Sequence, residues 1–307
     1  MKKLTYLTFS LFSVFSFAQQ VSEERIRTVL STLASDEMKG REIGTPENDN
    51  AAHYIAALFK ENNLEYCTGN SYLVPFNYKG KTVYNVCGIK KGKTDQYLGF
   101  SGHFDHIGTT GKTNGDNIYN GADDDASGIT TLVGIADYFK NKKPDFSMVF
   151  MAFNGEEKGM LGSTAISTDK TLDPIYNNLI SLFNFEMVAT ESEFGKNAVF
   201  MTGDEFSDLA GIFNKNAVNG LRIHPDPYAK EQLFYRSDNV SFVKKKIIAH
   251  SISTADMSKI KHYHQVSDDV TVVDFDNLTQ IINNFGATLE KLSPENFAPK
   301  YNDKVRF

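Results

Sequence analysis

From about residue 96 onward the chain alternates short, nearly continuous apolar runs with stretches of helical spacing. This alternation restricts the fold more than any other feature. The runs read "QYLGFSGHF", "FSMVFMAF", "LISLFNFEM", "NAVFMTG" and "KKIIAHSIST", with the helical pattern "GITTLVGIADYFK" among them. Strands buried on both faces lose the alternation of apolar and polar residues, and when helices separate them they build an α/β sheet covered on both sides. A closing helix is predicted over Leu278 to Leu292, with Leu278, Ile281, Ile282, Phe285 and Leu289 on one stripe. Two helices precede the sheet region. The first places Ile26, Val29, Leu30 and Leu33 on one face. The second starts with Thr45 as N-cap and Pro46 at its first position, and turns Ile55, Leu58 and Phe59 inward. Residues 64–90 read as two strands with a turn at Lys79-Gly80-Lys81. A length of 307 residues allows one large domain or two ordinary ones. No Pro/Gly/Ser-rich linker divides the chain, so residues 19–307 are expected to form one domain.

Residues 1–18 have the character of a signal peptide. Lys2 and Lys3 give a positive start, Leu4 to Phe17 is largely apolar, and Ser16-Phe17-Ala18 supplies small residues for cleavage after Ala18. The apolar run is shorter than the roughly 20 residues that span a bilayer. No later segment is apolar enough to cross one, and no cysteine follows the run to carry a lipid. Export to the periplasm or the medium is expected. The formal charge is −6, and losing Lys2 and Lys3 makes it two units more negative. Such a balance argues against nucleic acid or an anionic membrane as the main partner. Cys67 and Cys87 lie in neighbouring strand-like stretches. An exported chain permits a disulfide there, although the sequence leaves the pairing open. Without CxxC spacing they do not suggest a thiolate metal site. Oligomeric state is not readable from the sequence.

The reactive side chains follow the ends of the apolar runs. "YLGFSGHFDH" ends in His103, Asp105 and His106, "SMVFMAFNGEE" in Glu156 and Glu157, and "LISLFNFEM" in Glu186. Ligands of open α/β sheets bind outside the carboxyl ends of the strands. Asp123, Asp124 and Asp125 stand just before a predicted helix, and His262 and His264 lie in a late loop. Each feature has an ordinary explanation when taken alone. A lone histidine is commonly a hydrogen-bonded core residue, acids before a helix are commonly caps, and Glu-Glu or His-Tyr-His pairs are commonly solvated. Together they are more specific. The acidic triplet lacks the alternating acids and the closing Glu of a calcium loop, whereas imidazole with carboxylate suits zinc and similar ions. If His103, one of the central aspartates, Glu157, Glu186 and His264 converge, they are too many for one catalytic zinc. They suit two zincs sharing a carboxylate and a hydroxide. Three carboxylates and one hydroxide then balance two dications. Glu156 points away from its neighbour Glu157 and is left to act as general base, so the reaction class is hydrolysis of an amide or ester.

"SGHFDH", "NGADDDASG", "FNGEEKGMLGS", "NFEMV" and "YHQVSDD", in this order, closely resemble the exported di-zinc aminopeptidases. That superfamily contains the bacterial leucyl aminopeptidases, glutamate carboxypeptidase II and the glutaminyl cyclases. The resemblance runs from about residue 22 to 292 and includes "MKGREIGTPENDNAAHYIAALFKENNL". It implies an α/β zinc-exopeptidase fold: a three-layer αβα domain around a mostly parallel mixed sheet. It also implies that His103 and Glu186 bind one zinc, that Glu157 and His264 bind the other, and that Asp124 bridges them. Glu156 is then the base, Asp105 orients His103 from behind, Asp125 supports the turn, and the Asp124–Asp125 bond is cis. Two positions depart from the pattern: Glu186 stands where many members have Asp, and Asn239 where relatives often have His. Arg236 is expected to contact the substrate. Cobalt and manganese accept the same donors as zinc. The implied activity is release of N-terminal residues from peptides. Glutaminyl cyclisation and carboxypeptidase action on the same centre are the enzymatic alternatives, and a binding protein that keeps the fold is the non-enzymatic one.

Overall fold

The computed structural model of the chain describes residues 20–111 and 115–306. The expected signal peptide, residues 1–18, lies outside the described residues. In chain order the helices are α1 (Glu23–Leu33), α2 (Pro46–Glu61), α3 (Ser127–Phe139), α4 (Leu161–Ser167), α5 (Asp173–Tyr176), α6 (Leu209–Asn216), α7 (Asn239–Val243) and α8 (Phe275–Leu289). The strands are β1 (Glu65–Tyr66), β2 (Leu73–Tyr78), β3 (Lys81–Lys90), β4 (Tyr97–His103), β5 (Gly108–Thr109), β6 (Ile118–Tyr119), β7 (Ser147–Phe153), β8 (Leu179–Phe185), β9 (Ala198–Met201), β10 (Arg222–Pro225) and β11 (Ala249–Ser253).

One mixed sheet forms the middle layer in the order β1-β3-β7-β4-β8-β11-β9-β10, with β2 also paired to β3. Its centre, β7-β4-β8-β11, is parallel throughout. Strands β3 and β9 run antiparallel to β7 and β11. Every residue of β4 and β7 is buried, which is why those segments are apolar or small without alternation. Helices cover both faces. Ile26 of α1, Ile55 of α2, Leu132 of α3, Phe213 of α6 and Phe285 of α8 belong to one apolar cluster. Ile166 of α4, Ile175 of α5 and Phe242 of α7 belong to another. The expected three-layer arrangement is the one observed.

Local chemistry sets the element ends. The Thr45 hydroxyl accepts from the Asn48 N–H, and Pro46 occupies the first turn of α2. The predicted stripes of α1, α2 and α8 are all buried. The last helix spans Phe275–Leu289 rather than Leu278–Leu292, because the Asp274 carboxylate accepts from the Asn277 N–H and starts it a turn earlier. Leu292 is buried all the same, just beyond the helix. Between β2 and β3, Lys79 and Gly80 both have positive φ (49° and 80°), as a tight two-residue hairpin turn requires. Cys67 and Cys87 form a disulfide that ties the end of β1 to β3, with a Cα–Cα distance of 5.7 Å.

Candidate metal centre

Three parallel strands deliver the site. His103 is the last residue of β4, Glu186 follows β8 directly, and Glu156 and Glu157 lie just past β7. The acidic triplet sits in an irregular helical turn, Ala122–Ala126, that leads into α3. The Asp124–Asp125 peptide bond is cis. Gly128 lets this turn dock closely on the sheet. A Cβ there would stand 2.3 Å from Asp125 Oδ2 and 2.5 Å from the Phe185 carbonyl.

The five residues expected as ligands meet around Asp124. His103 Nε2 lies 3.2 Å from Asp124 Oδ1 and 3.4 Å from Glu186 Oε1. His264 Nε2 lies 3.2 Å from Asp124 Oδ2 and 3.2 Å from Glu157 Oε2. Each oxygen of Asp124 therefore faces a different imidazole. Donors bound about 2.0–2.1 Å from a tetrahedral ion stand roughly 3.3 Å apart, so in each trio the imidazole stands from both carboxylates at the spacing of a coordination shell. Glu157 Oε1 is buried and turned toward His106, leaving Oε2 to face His264. The donor set and its spacing fit a pair of divalent ions.

The two outer aspartates of the triplet brace the centre. Asp125 Oδ2 accepts from the His103 N–H, and its Oδ1 accepts from Met187 and from Gly128 at the head of α3. Asp123 Oδ1 accepts from the Ala189 N–H, while its Oδ2 pairs with His262 Nε2 at 2.9 Å. His262 thus braces the turn and faces neither trio. Asp105 has a wider role than the resemblance implied. Its main-chain oxygen lies 3.0 Å from His103 Nδ1, and its carboxylate accepts from the N–H groups of both Glu156 and Glu157.

Three further residues escaped the sequence reading, which names His106 without giving it a role. Asp268, in the "QVSDD" loop, accepts from the N–H groups of Asp123 and Asp124 with its two oxygens. Arg41 is fully buried and donates to the main-chain oxygens of Leu33, Phe104, Asn120 and Gly121, joining the segments that carry Asp105 and the triplet. His106 is also buried, with Nδ1 2.7 Å from Glu157 Oε1 and 3.9 Å from Asp124 Oδ2. Tyr263 stacks on the His264 ring at 3.9 Å and lines the cavity. The available signals were weak: an acid after "HQVS", an arginine between glycine-rich turns and an aromatic beside a histidine. Asn239, the departure from the family pattern, donates to the Phe234 carbonyl and accepts from the Ser251 hydroxyl, so it closes a local network beneath the cavity.

The electrostatics separate the carboxylates. Burial alone would raise the Asp124 carboxyl, but His106, His103 and His264 hold it well below the usual range. For Glu157 the same contest, between burial and hydrogen bonds from His106 and His264, ends at about 2. Glu156 goes the other way. Burial and the nearby Glu186, Asp238 and Asp124 carboxylates, opposed by His103, push it well above the usual range. Burial also lifts Asp238 to about 7. Burial pushes Asp125 and Asp268 up as well, so among the carboxyls that line the cavity Glu156 is the one that holds a proton more tightly than usual, beside Asp124 and Glu157, which hold theirs less tightly. Next to them opens a cavity of about 180 Å³, lined by Glu156, Glu157 and Glu186 together with Phe200, Met257 and Arg236.

Fold and site together are those of a metal-dependent peptidase. Residues 85–289, more than half of the chain, match the model of peptidase family M28, and the chain belongs to that family. Among solved structures, a zinc aminopeptidase from Bacillus subtilis has a TM-score of 0.68 at 15% identity, covering 92% of this chain and 98% of its own. A leucine aminopeptidase precursor and a glutaminyl cyclase, both from Bacteroides thetaiotaomicron, also reach 0.68 at 15% identity, each covering 90% of this chain and 99% and 100% of their own. Likeness at that identity shows the fold. By sequence, a probable zinc metalloprotease of Pyrenophora tritici-repentis is 40% identical over 68 residues, covering 22% of this chain and 15% of its own length. The alkaline phosphatase isozyme conversion protein of Escherichia coli is 29% identical over 137 residues, covering 40% of each chain. A vacuolar membrane protease of Lodderomyces elongisporus is 22% identical over 83% of this chain and 26% of its own. The chain thus spans less than half the length of these curated relatives. Among the described residues no helix is long and apolar enough to cross a membrane.

Proposed function

We propose that the protein is an exported di-zinc aminopeptidase that releases N-terminal residues from peptides, with residues 19–307 as one catalytic domain once the leader is removed. The observation that carries this reading is the meeting of two imidazole–carboxylate trios on the two oxygens of Asp124, with the protonatable Glu156 in the same cavity. Asp124 would bridge the ions, with His103 and Glu186 completing one position and Glu157 and His264 the other. When bound, the pair of ions supplies Lewis acidity for the scissile carbonyl and lowers the pKa of water. The Glu156 carboxylate takes the proton from the attacking water and then delivers it to the leaving amine. Asp105 holds the backbone of Glu156 and Glu157, which keeps the base and its metal-binding neighbour pointing in their separate directions. Tyr263, its hydroxyl kept protonated by burial, is a neutral donor for a substrate oxygen.

The test is Glu156→Gln. Two metal ions per chain should remain, and kcat on aminoacyl amides should fall by roughly 10²–10⁴, the usual worth of general base catalysis. Near-normal turnover would remove Glu156 from the mechanism. The structural likeness to a glutaminyl cyclase favours a second reading, cyclisation of N-terminal Gln. One ion per chain together with ring closure on Gln-peptides would establish that reading instead.

A further inference from the structure

Arg236 lies in the wall of the cavity beside the metal-centre residues, and its guanidinium has no hydrogen-bond or ion-pair partner among the described residues. The backbone on both sides of it is anchored. Its N–H closes a single helical turn onto the Leu233 carbonyl, and the hydroxyl of Ser237 donates to Glu186 Oε2 at 2.6 Å. An unpaired, exposed arginine such as Arg236 is ordinary in itself, because water solvates it. This one shares a cavity with four carboxylates, those of Asp124, Glu156, Glu157 and Glu186, yet pairs with none of them. It is also the sole lysine or arginine among the residues that line the cavity. Much of the remaining wall is apolar or small, including Phe200, Met257, Leu233 and Ala255. With metals on Asp124, Glu157 and Glu186, Glu156 would be the one free anion of the cavity, and this guanidinium would stay available to a carboxylate that a substrate brings in. Its planar fork matches a carboxylate in bidentate fashion.

We propose that Arg236 receives a substrate carboxylate, so that the enzyme acts preferentially on peptides that bring a negative charge close to the scissile bond. The charge is either the C-terminus of a dipeptide or the side chain of an Asp or Glu next to the cut. This rests on the peptidase reading above and narrows its substrate class. The cavity is smaller than the roughly 300–1,000 Å³ of common ligand pockets, which suits the end of a chain better than its middle. The amino end of such a substrate lies toward the acids and its carboxylate toward Arg236.

The experiment uses the zinc-loaded protein and two substrate pairs: Leu-Leu against its C-terminal amide, and Leu-Asp amide against Leu-Asn amide. The parent should favour the charged member of at least one pair by roughly tenfold or more in kcat/KM, the scale of a charge-assisted hydrogen bond, with the difference carried by KM. Arg236→Gln should erase that preference, and Arg236→Lys should keep part of it. The first pair reports a terminal carboxylate and the second a side chain. No preference in either pair, or a preference that survives in Arg236→Gln, overturns the proposal. If nothing is hydrolysed, the peptidase reading has failed on its own account. Calorimetric binding of the same pairs to the parent and Arg236→Gln proteins then decides the matter, and equal affinities reject the carboxylate site.

Discussion

The two halves of the candidate metal centre have nearly the same ligand spacing and very different surroundings. On one side His103 ends a central strand and its side chain is 1% exposed. Its Nδ1 faces the Asp105 main chain, and its own N–H is held by Asp125. Glu186 also follows a central strand directly and accepts from Ser237. On the other side His264 comes from a loop, has φ 54°, keeps a side chain 37% exposed and leans on Tyr263. The contrast lies in the imidazoles: the sheet fixes His103, while a loop carries His264, and the carboxylates Glu186 and Glu157 both follow central strands. Sites on rigid elements hold their geometry more closely than sites on loops. His103 should accordingly be bound up with the stability of the fold, and His264 should be more nearly dispensable to it.

The largest effect that separates the halves comes from His103→Ala and His264→Ala. Each should remove one of two metal ions per chain and lower turnover by more than about 10²-fold, because the bridged pair acts as a unit. Only His103→Ala should also destabilise the fold, by about 1–3 kcal/mol for the cavity and the unpaired groups it leaves. His264→Ala should stay within about 0.5 kcal/mol. Elemental analysis with thermal melts checks this, and equal melting losses would break the comparison. Next comes Asp105→Asn. Asp105 touches His103 and also supports Glu157, so metal affinity should fall about 10–100-fold at both positions together. Weakening confined to one position, seen by metal titration, would show that the halves are braced separately. Asp268→Asn should cost about 1–3 kcal/mol in denaturant unfolding, because an amide N–H₂ would face a main-chain N–H at Asp123 or Asp124.

The smallest effect is one of pH. In metal-stripped protein, hydrogen bonds to Asp124 and Glu157 raise His264 to about 10. The folded state then binds this proton more tightly than the unfolded chain. The contribution to stability is complete below the unfolded pKa of about 6.5 and is lost as pH rises toward 10. The imidazole is half-exposed, so solvent screening should keep the contribution under about 1 kcal/mol. Denaturation midpoints of stripped parent and His264→Ala should therefore differ more at pH 6 than at pH 10. The opposite trend would mean that His264 is neutral in the fold.

Much of this architecture is legible in the amino-acid sequence. The apolar runs of β4, β7 and β8, the stripes of α1, α2 and α8, and the Thr45 cap are local patterns, and local geometry follows from them. His103, Glu157 and Glu186 stand out as polar residues at strand ends, and the resemblance adds Asp124 and His264 and matches the five to two metals. The sequence leaves open whether Cys67 and Cys87 pair, and it places the last helix a turn too late when the Asp274 cap goes unread.

What the chain determined by itself is the order and type of its elements and the chemistry offered at their ends, since periodicity of 2 or 3.6 residues is written in consecutive positions. Only the tertiary structure decided that Asp124 turns its two oxygens toward two different histidines, that Asp105, Asp125 and Asp268 clasp main-chain N–H groups, and that Arg41 ties distant loops together while Arg236 stands unpaired. The pairings among these depend on groups far apart in the chain arriving within about 3 Å of one another, and no local pattern encodes such a meeting. It follows from how helices and loops close over the sheet, where burial makes every unpaired donor and every uncompensated charge costly.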